Sequence, residues 1–158
     1  MSLQLIERWQ QLSSKPGGKW LFSKALGRFV PYSGSVGAMV EELRPGYARL
    51  VLNERRAIRN HLRSIHAVAL VNVGELASGL AMLAGLGANA RGIVVKLTCE
   101  YFKKSRGRLI VECQCDPPSG EVDEEIEVVA HLRDAEGDEV ARVTAHWKVG
   151  PVPKKQRA

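Results

Sequence analysis

Apolar residues fill almost every position of residues 67–83, where the only charged side chain is Glu75. A helix that is apolar around its whole circumference is normally buried inside a protein. Asn72, Glu75 and Ser78 interrupt the run, so a transmembrane span is a poor interpretation. We therefore expect a central helix that other elements wrap. Because a lone buried carboxylate is costly unless it is paired, protonated or used, Glu75 is the first candidate for function.

Downstream of this helix, apolar and polar residues alternate with a period of two. This pattern is typical of antiparallel strands with one covered face. Four runs follow it, near residues 93–101, 109–115, 126–132 and 141–149. We expect these runs to form a four-strand meander. Upstream, residues 38–43 and 47–52 alternate on either side of Pro45-Gly46 and predict a β-hairpin.

The first thirty residues have the spacing of amphipathic helices. Leu3, Ile6 and Trp9 recur at intervals of three and predict a helix over residues 2–12. A weaker pattern predicts a second helix over residues 20–29. We therefore expect residues 1–30 to form an accessory helical arm.

The remaining chain divides into one domain and a tail. Pro31, Gly34 and Gly37 predict a breaker-rich connection after the arm. We expect residues 31–150 to form a single α+β domain and residues 151–158 to be a disordered tail. A chain of 158 residues is long enough for one substantial core. One sheet cannot cover an all-apolar helix on every side, so we also expect a homo-oligomer, either a dimer or a tetramer.

Composition narrows the function only slightly. The net charge of +6 suits an anionic ligand, nucleic acid or a membrane surface, and does not choose among them. The three cysteines, Cys99, Cys113 and Cys115, have no CxxC or Cys/His ligand spacing, so zinc and redox motifs are unsupported. The N-terminus has no secretory signal pattern. A cytoplasmic location is the consistent expectation.

The central helix and its flanks resemble a known family. Asn60 lies six residues before His66, and Glu75 lies nine residues after it. This spacing is similar to that of hotdog-fold acyl-CoA thioesterases of the phenylacetate and 4-hydroxybenzoyl-CoA type. Those proteins carry an Asn, then a His-Gly-Gly at the start of the central helix, then an acid on the helix. The resemblance covers residues 36–149 and implies the hotdog fold, in which a sheet wraps one central helix.

The resemblance also implies a reaction. It implies hydrolysis of an acyl-CoA thioester, with coenzyme A entering as part of the substrate and no separate cofactor. Glu75 would act as base or nucleophile, while Asn60 and His66 orient the substrate or water. Ala67 and Val68 replace the two glycines of the family motif. Because the donors at a helix start are backbone N–H groups, either residue could still polarise the carbonyl.

The positions of His66 and Glu75 predict a site shared between two chains. Nine residues at about 100° each put the two side chains on opposite sides of an ideal helix. They can therefore hardly meet within one chain. In a two-fold dimer, the helix start of one subunit can face Glu75 of the other.

Basic residues follow the first strand after the helix. Lys103, Lys104 and Arg106 are predicted to hold the phosphates of coenzyme A. For each of them, a solvated turn is the alternative. Nucleic acid is disfavoured as a partner, because only Tyr101 and Phe102 supply aromatic side chains beside these cations.

Other interpretations remain open for the site. Glu75 could pair with an arginine across a subunit contact, and Asn60 and His66 could be loop or cap residues. A non-catalytic acyl-CoA-binding or regulatory domain would keep the same basic residues at the entrance to its ligand tunnel. A dehydratase of the same fold is a closer alternative to a thioesterase. We expect no metal, because His61, His66 and Glu75 lack a metal-motif spacing and no third ligand is placed.

Overall fold

A computed structural model gives the structure of residues 2–153, including the side chains of residues 5–153. Three helices open the chain: α1 is Ser2–Ser13, α2 is Gly18–Phe29 and α3 is Pro31–Val36. The first two confirm the predicted helices of the arm. The breaker-rich connection was a wrong prediction, because it is the short helix α3. Pro31 suits the first turn of a helix, where its missing N–H would have no acceptor.

Six strands form one antiparallel sheet around a central helix. The strands are β1 (Met39–Arg44), β2 (Tyr47–Asn53), β3 (Ala90–Tyr101), β4 (Arg108–Gln114), β5 (Glu124–Arg133) and β6 (Glu139–Pro151). Helix α4, Ala67–Gly85, packs against all six strands. It is long and apolar enough to cross a membrane, but 67% of its most apolar window is buried inside the protein. The arrangement confirms the predicted α+β class and the hotdog fold.

The order of strands differs from the predicted meander. The sheet runs β1-β2-β4-β5-β6-β3, so only the last three strands in sequence form a meander. Strand β3 crosses to the far edge and pairs with β6, while β4 pairs with β2. Alternation with a period of two identifies strands, but it carries no information on which strands are neighbours.

Strand β3 also has a different inward face from the one predicted. A β-bulge lies between Val94 and Lys96, and such a bulge inserts one residue and disrupts the alternation. Val94 pairs with Trp147 and packs on the core. Ile93 and Val95 are 64% and 53% exposed. The predicted apolar face of β3 is therefore divided between the two sides of the sheet.

The arm shares the core of the main domain. Trp9 of α1 and Phe22 of α2 are buried, with their rings in edge contact at a centroid distance of 5.0 Å. Both belong to the same apolar cluster as Leu80 of α4. At the other end, β6 reaches Pro151, and the Val152 N–H donates to the Asn89 carbonyl (2.7 Å). The rest of the predicted tail, residues 154–158, lies outside the described residues.

Helix α4 approaches β6 most closely at Gly74. A Cβ atom added there would lie 2.5 Å from the Cβ of Val143, which is too short for any van der Waals contact. We expect Gly74→Ala to reduce the free energy of unfolding by about 1–3 kcal/mol, as overpacked cores do. Urea unfolding measures the change. The double variant with Val143→Gly should lose less than the sum of the two single variants, because the second change removes the Cβ and both methyl groups that clash. Strictly additive losses would contradict this explanation.

Candidate active site

Glu75 lines a cavity between α4 and the helical arm. The cavity has a volume of about 420 Å³, and leucine and phenylalanine side chains form most of its wall. Burial raises the pKa of Glu75 above its ordinary value. Within residues 5–153, no cationic side chain pairs with its carboxylate. A carboxylate without an ion pair, in apolar surroundings, has the properties of a general base with a raised pKa.

The start of α4 is capped by His66. Its Nδ1 accepts a hydrogen bond from the Val68 N–H (3.1 Å), and its carbonyl accepts one from the Ala69 N–H (2.9 Å). In the neutral ring, the proton then lies on Nε2, which is free to donate. The Ala67 N–H has no acceptor among the residues that the structure describes. Within the described residues, the Ala67 N–H is therefore an unpaired donor of the first turn, while the Val68 N–H is used by the cap.

Asn60 organises the loop before α4. Its Oδ1 accepts hydrogen bonds from the Leu62 N–H (2.9 Å), the Ser64 N–H (3.2 Å) and the Ser64 hydroxyl (3.2 Å). The backbone N–H of Asn60 donates in turn to the Ser64 carbonyl (2.8 Å). Because the side-chain oxygen is engaged in this loop, only Nδ2 is left to orient a substrate.

Tyr101 joins the end of β3 to the start of α4. Its hydroxyl donates to the Ala67 carbonyl (3.3 Å), and burial raises its pKa to about 12. Tyr101, Phe102 and Val68 are about half exposed, at 49%, 51% and 52%. The helix start therefore carries exposed apolar side chains, which are typical of interaction surfaces. Sequence reasoning missed the contact of Tyr101 with Ala67, because thirty-four residues separate the two in the chain.

One protomer does not bring Glu75 and the helix start together. Ala67 and Glu75 are eight residues apart on α4, which corresponds to about 12 Å along the axis. A base and an oxyanion donor must both lie about 3 Å from the same reacting group. The two therefore cannot act on one thioester within the same chain.

The predicted phosphate-binding residues differ in their surroundings. The Lys103 ammonium binds the carboxylates of Asp134 (2.6 Å) and Asp138 (2.7 Å), which raise its pKa and offset its charge. Arg106 is exposed, and its Nε donates to the Arg63 carbonyl (3.2 Å). Lys104 is exposed as well, and neither it nor Arg106 forms an ion pair with a described residue. Lys104 and Arg106 are therefore the cations of this group without an ion pair among the described residues, although Arg106 is near enough to Glu54 to help lower the pKa of that carboxyl.

Among the described residues, no three His, Cys, Asp or Glu side chains converge on a point that could hold a metal ion.

Residues 18–149 match the sequence profile of a family described as a domain of unknown function, DUF4442. The chain belongs to this family. The DUF4442 match begins at the first residue of α2, so it includes half of the arm as well as the sheet and α4. No curated protein matches the sequence.

Solved structures place this DUF4442 protein among hotdog thioesterase-family proteins. It is 30% identical to a structural-genomics protein, APC5556, with a TM-score of 0.79 over 94% of this chain and 97% of that one. It is 26% identical to PA5026 from Pseudomonas aeruginosa, a protein of unknown function described as a probable thioesterase. That match has a TM-score of 0.69 and covers 82% of this chain and 91% of PA5026.

A third structure shows the same fold at lower identity. It is a hypothetical thioesterase from Streptococcus pneumoniae with coenzyme A, 16% identical, with a TM-score of 0.67 over 83% of this chain and 99% of that one. These likenesses confirm the resemblance to hotdog-fold thioesterase-family proteins, to which this chain is similar at low sequence identity.

Proposed function

We propose that this DUF4442 protein is an acyl-CoA thioesterase whose active site is shared by two subunits of a cytoplasmic homo-oligomer. The observation that carries the proposal is Glu75, a carboxylate with a raised pKa and no ion pair to any described side chain, on the wall of an apolar cavity. Free thiols at Cys99, Cys113 and Cys115 suit a reducing compartment.

The proposed reaction uses Glu75 as the general base. Its carboxylate takes a proton from water, the water oxygen attacks the thioester carbonyl carbon, and negative charge develops on the carbonyl oxygen. The Ala67 N–H of the other subunit donates to that oxygen. The C–S bond then breaks, and the leaving coenzyme A thiolate takes the proton back from Glu75, which regenerates the base and gives the free thiol and the carboxylic acid as products. His66 can orient the substrate through Nε2, and Asn60 can do so only through Nδ2.

Two features support a shared site. The first is the separation of Ala67 and Glu75 by two turns of α4. The second is β3, a 12-residue edge strand that pairs only with β6 in the protomer. A long edge strand with exposed apolar residues is a template for pairing with another chain.

Coenzyme A is proposed as the thiol carrier, and Lys104 and Arg106 as the cations that meet its phosphates. The pneumococcal structure with coenzyme A supports this ligand for the fold. Two exposed cations that form no ion pair with described residues are suitable partners for phosphate.

The cation assignment predicts different effects for two neighbouring residues. Arg106→Ala should raise KM for an acyl-CoA by about threefold to tenfold, and less at high salt, because an exposed phosphate contact is lost. The double variant Lys103→Ala/Asp138→Asn should change KM little, because it removes one positive and one negative charge from a cluster that is already neutralised internally. Neither variant should alter KM for an acyl-pantetheine thioester, which lacks phosphates. Equal effects of the two variants on acyl-CoA would contradict the assignment.

The function is tested by release of free thiol from a panel of acyl-CoA thioesters. Hydrolysis that depends on Glu75 is the expected result. Binding of acyl-CoA without hydrolysis of any panel member would contradict the proposed thioesterase activity. It would support the alternative, a non-catalytic acyl-CoA-binding domain.

A further inference from the structure

We infer that the cavity between α4 and the arm binds the acyl chain, and that the preferred substrate carries a straight aliphatic chain of about ten carbons. The inference rests on the proposed function, because it takes Glu75 to be the base and places the thioester of the substrate beside it. It adds the acyl class, and it gives the helical arm a role in substrate recognition.

The cavity follows one face of α4. Its lining includes Glu75, Leu76, Gly79, Leu80 and Leu83, which recur at helical spacing on the side of α4 that faces the arm. The distance from Glu75 to Leu83 is eight residues, or about 12 Å along the helix axis. The part of α4 that lines the cavity therefore spans about 12 Å, from Glu75 towards its N-terminal side to Leu83 towards its C-terminal side.

The arm supplies the opposite wall. Leu5 and Leu12 of α1, with Phe22, Leu26 and Phe29 of α2, line the cavity. Arg8, Ser33 and Glu75 are the polar side chains among the fifteen residues of its lining. Arg8 is exposed and belongs to the solvent side. An apolar wall with one half-buried carboxylate suits a ligand that is apolar along its length and reactive at one end.

Trp147 and Gly79 form an apolar part of the cavity wall. The Trp147 Nε1–H donates to the Ser78 hydroxyl (3.2 Å), so the polar atom of this indole is already paired. A Cβ atom at Gly79 would lie 3.2 Å from the indole ring, in a space that both residues border. Glycine at position 79 therefore lets the indole ring lie close to α4, where the ring forms part of the apolar wall.

The length of the cavity selects the chain length. A fully extended polypeptide advances about 3.3–3.6 Å for every three backbone bonds, or roughly 1.2 Å per bond. A lining that spans about 12 Å of α4 accommodates about ten bonds of an extended chain laid along the helix. A single aromatic ring would fill only part of this length, so a medium-length aliphatic chain fits better than a phenylacetyl group.

The test is a series of straight-chain acyl-CoA thioesters of increasing length. Each buried methylene contributes about 0.8 kcal/mol, so kcat/KM should rise roughly fourfold per added carbon. The rise should stop near about ten carbons, where the cavity is filled. Decanoyl-CoA should be a better substrate than phenylacetyl-CoA.

Leu83→Phe tests the far end of the cavity, because a larger side chain there shortens the space. We expect it to move the optimum to chains shorter by a few carbons, with little change for the shortest substrates. Leu21→Phe is the matched control, since Leu21 lies on α2, is 51% exposed and does not line the cavity. Leu12→Phe, on the opposite wall, replaces Leu83→Phe if that variant fails to fold.

The outcomes separate this inference from the proposed function. If thioesters are hydrolysed but the chain-length series is flat, or Leu83→Phe leaves it unchanged, the acyl-site inference is wrong and the thioesterase proposal stands. If no thioester is hydrolysed, calorimetry with non-hydrolysable thioether analogues of the same chain lengths decides. Tighter binding of the decanoyl analogue than of shorter ones, weakened by Leu83→Phe and not by Leu21→Phe, would support the acyl site alone. Binding independent of chain length would overturn it.

Discussion

Glu75→Gln is expected to lower kcat by about 10²–10⁴-fold, the range that a general base contributes. The amide has nearly the size and shape of the carboxylate, so the cavity keeps its form, but the amide cannot take a proton from water. Release of thiol from an acyl-CoA measures the loss. Binding of a non-hydrolysable analogue should change much less, because the amide still occupies the same position on the cavity wall.

The pH dependence of activity provides a second signature of Glu75. Burial raises the pKa of this carboxyl, so its protonated, inactive form persists to a higher pH than for an ordinary glutamate. Activity should therefore fall on acidification at a pH above the usual range of a glutamate. The residual activity of Glu75→Gln should lack this acidic limb. An acidic limb that remains in the variant would assign the titration to another group.

Stability should change in the opposite direction from activity. A raised pKa in the folded state means that folding favours the protonated carboxyl. The stability linked to Glu75 is then fully present below its unfolded pKa and is lost as pH rises through the folded pKa. Glu75→Gln should match the wild type in acid and be more stable at neutral pH, as measured by urea unfolding. A loss of stability at neutral pH would indicate that Glu75 has a cationic partner in the oligomer.

The sequence contained most of the local structure, because α4 and the strands have apolar spacings that depend only on near neighbours. Pairing depends on distant residues, and for that reason the position of β3 beside β6 was not predictable from alternation. The bulge between Val94 and Lys96 was not predictable from the sequence either, because the alternation of apolar and polar residues continues through it. The bulge places Ile93 and Val95 outside the expected apolar face.

The candidate site was likewise predictable only where it depends on residues that are near in the sequence. Glu75 was predictable as a candidate because it is the single charge in an apolar helix, and a buried charge requires an explanation. The cavity beside it was not predictable, since its volume arises where side chains of the arm and α4 fail to meet. From the sequence, Lys103 is indistinguishable from its basic neighbours Lys104 and Arg106 as a phosphate-binding cation. Its neutralisation depends on Asp134 and Asp138, which are 31 and 35 residues away.

Ala67→Pro should remove the proposed oxyanion donor while leaving the fold intact. Ala67 is the first residue of α4, a position that proline favours because its N–H has no intrahelical acceptor. His66 before it has φ −65° and ψ 138°, the extended conformation that precedes proline most readily. We expect kcat to fall by about 10²–10³-fold, as for the loss of one oxyanion-hole donor. Ala67→Gly is the control, because it keeps the N–H and should retain most activity.

Combining the two variants tests whether the site is shared. If each site takes Glu75 from one subunit and Ala67 from the other, a heterodimer of Glu75→Gln and Ala67→Pro chains contains one intact site and one doubly altered site. Random pairing after co-expression makes half of the dimers heterodimers, so activity should recover to about a quarter of the wild-type value. A site confined to one chain gives no such recovery, because every site would then carry one of the two changes. Activity that stays at the level of the single variants would place base and donor in the same subunit, contrary to their separation of about 12 Å along α4.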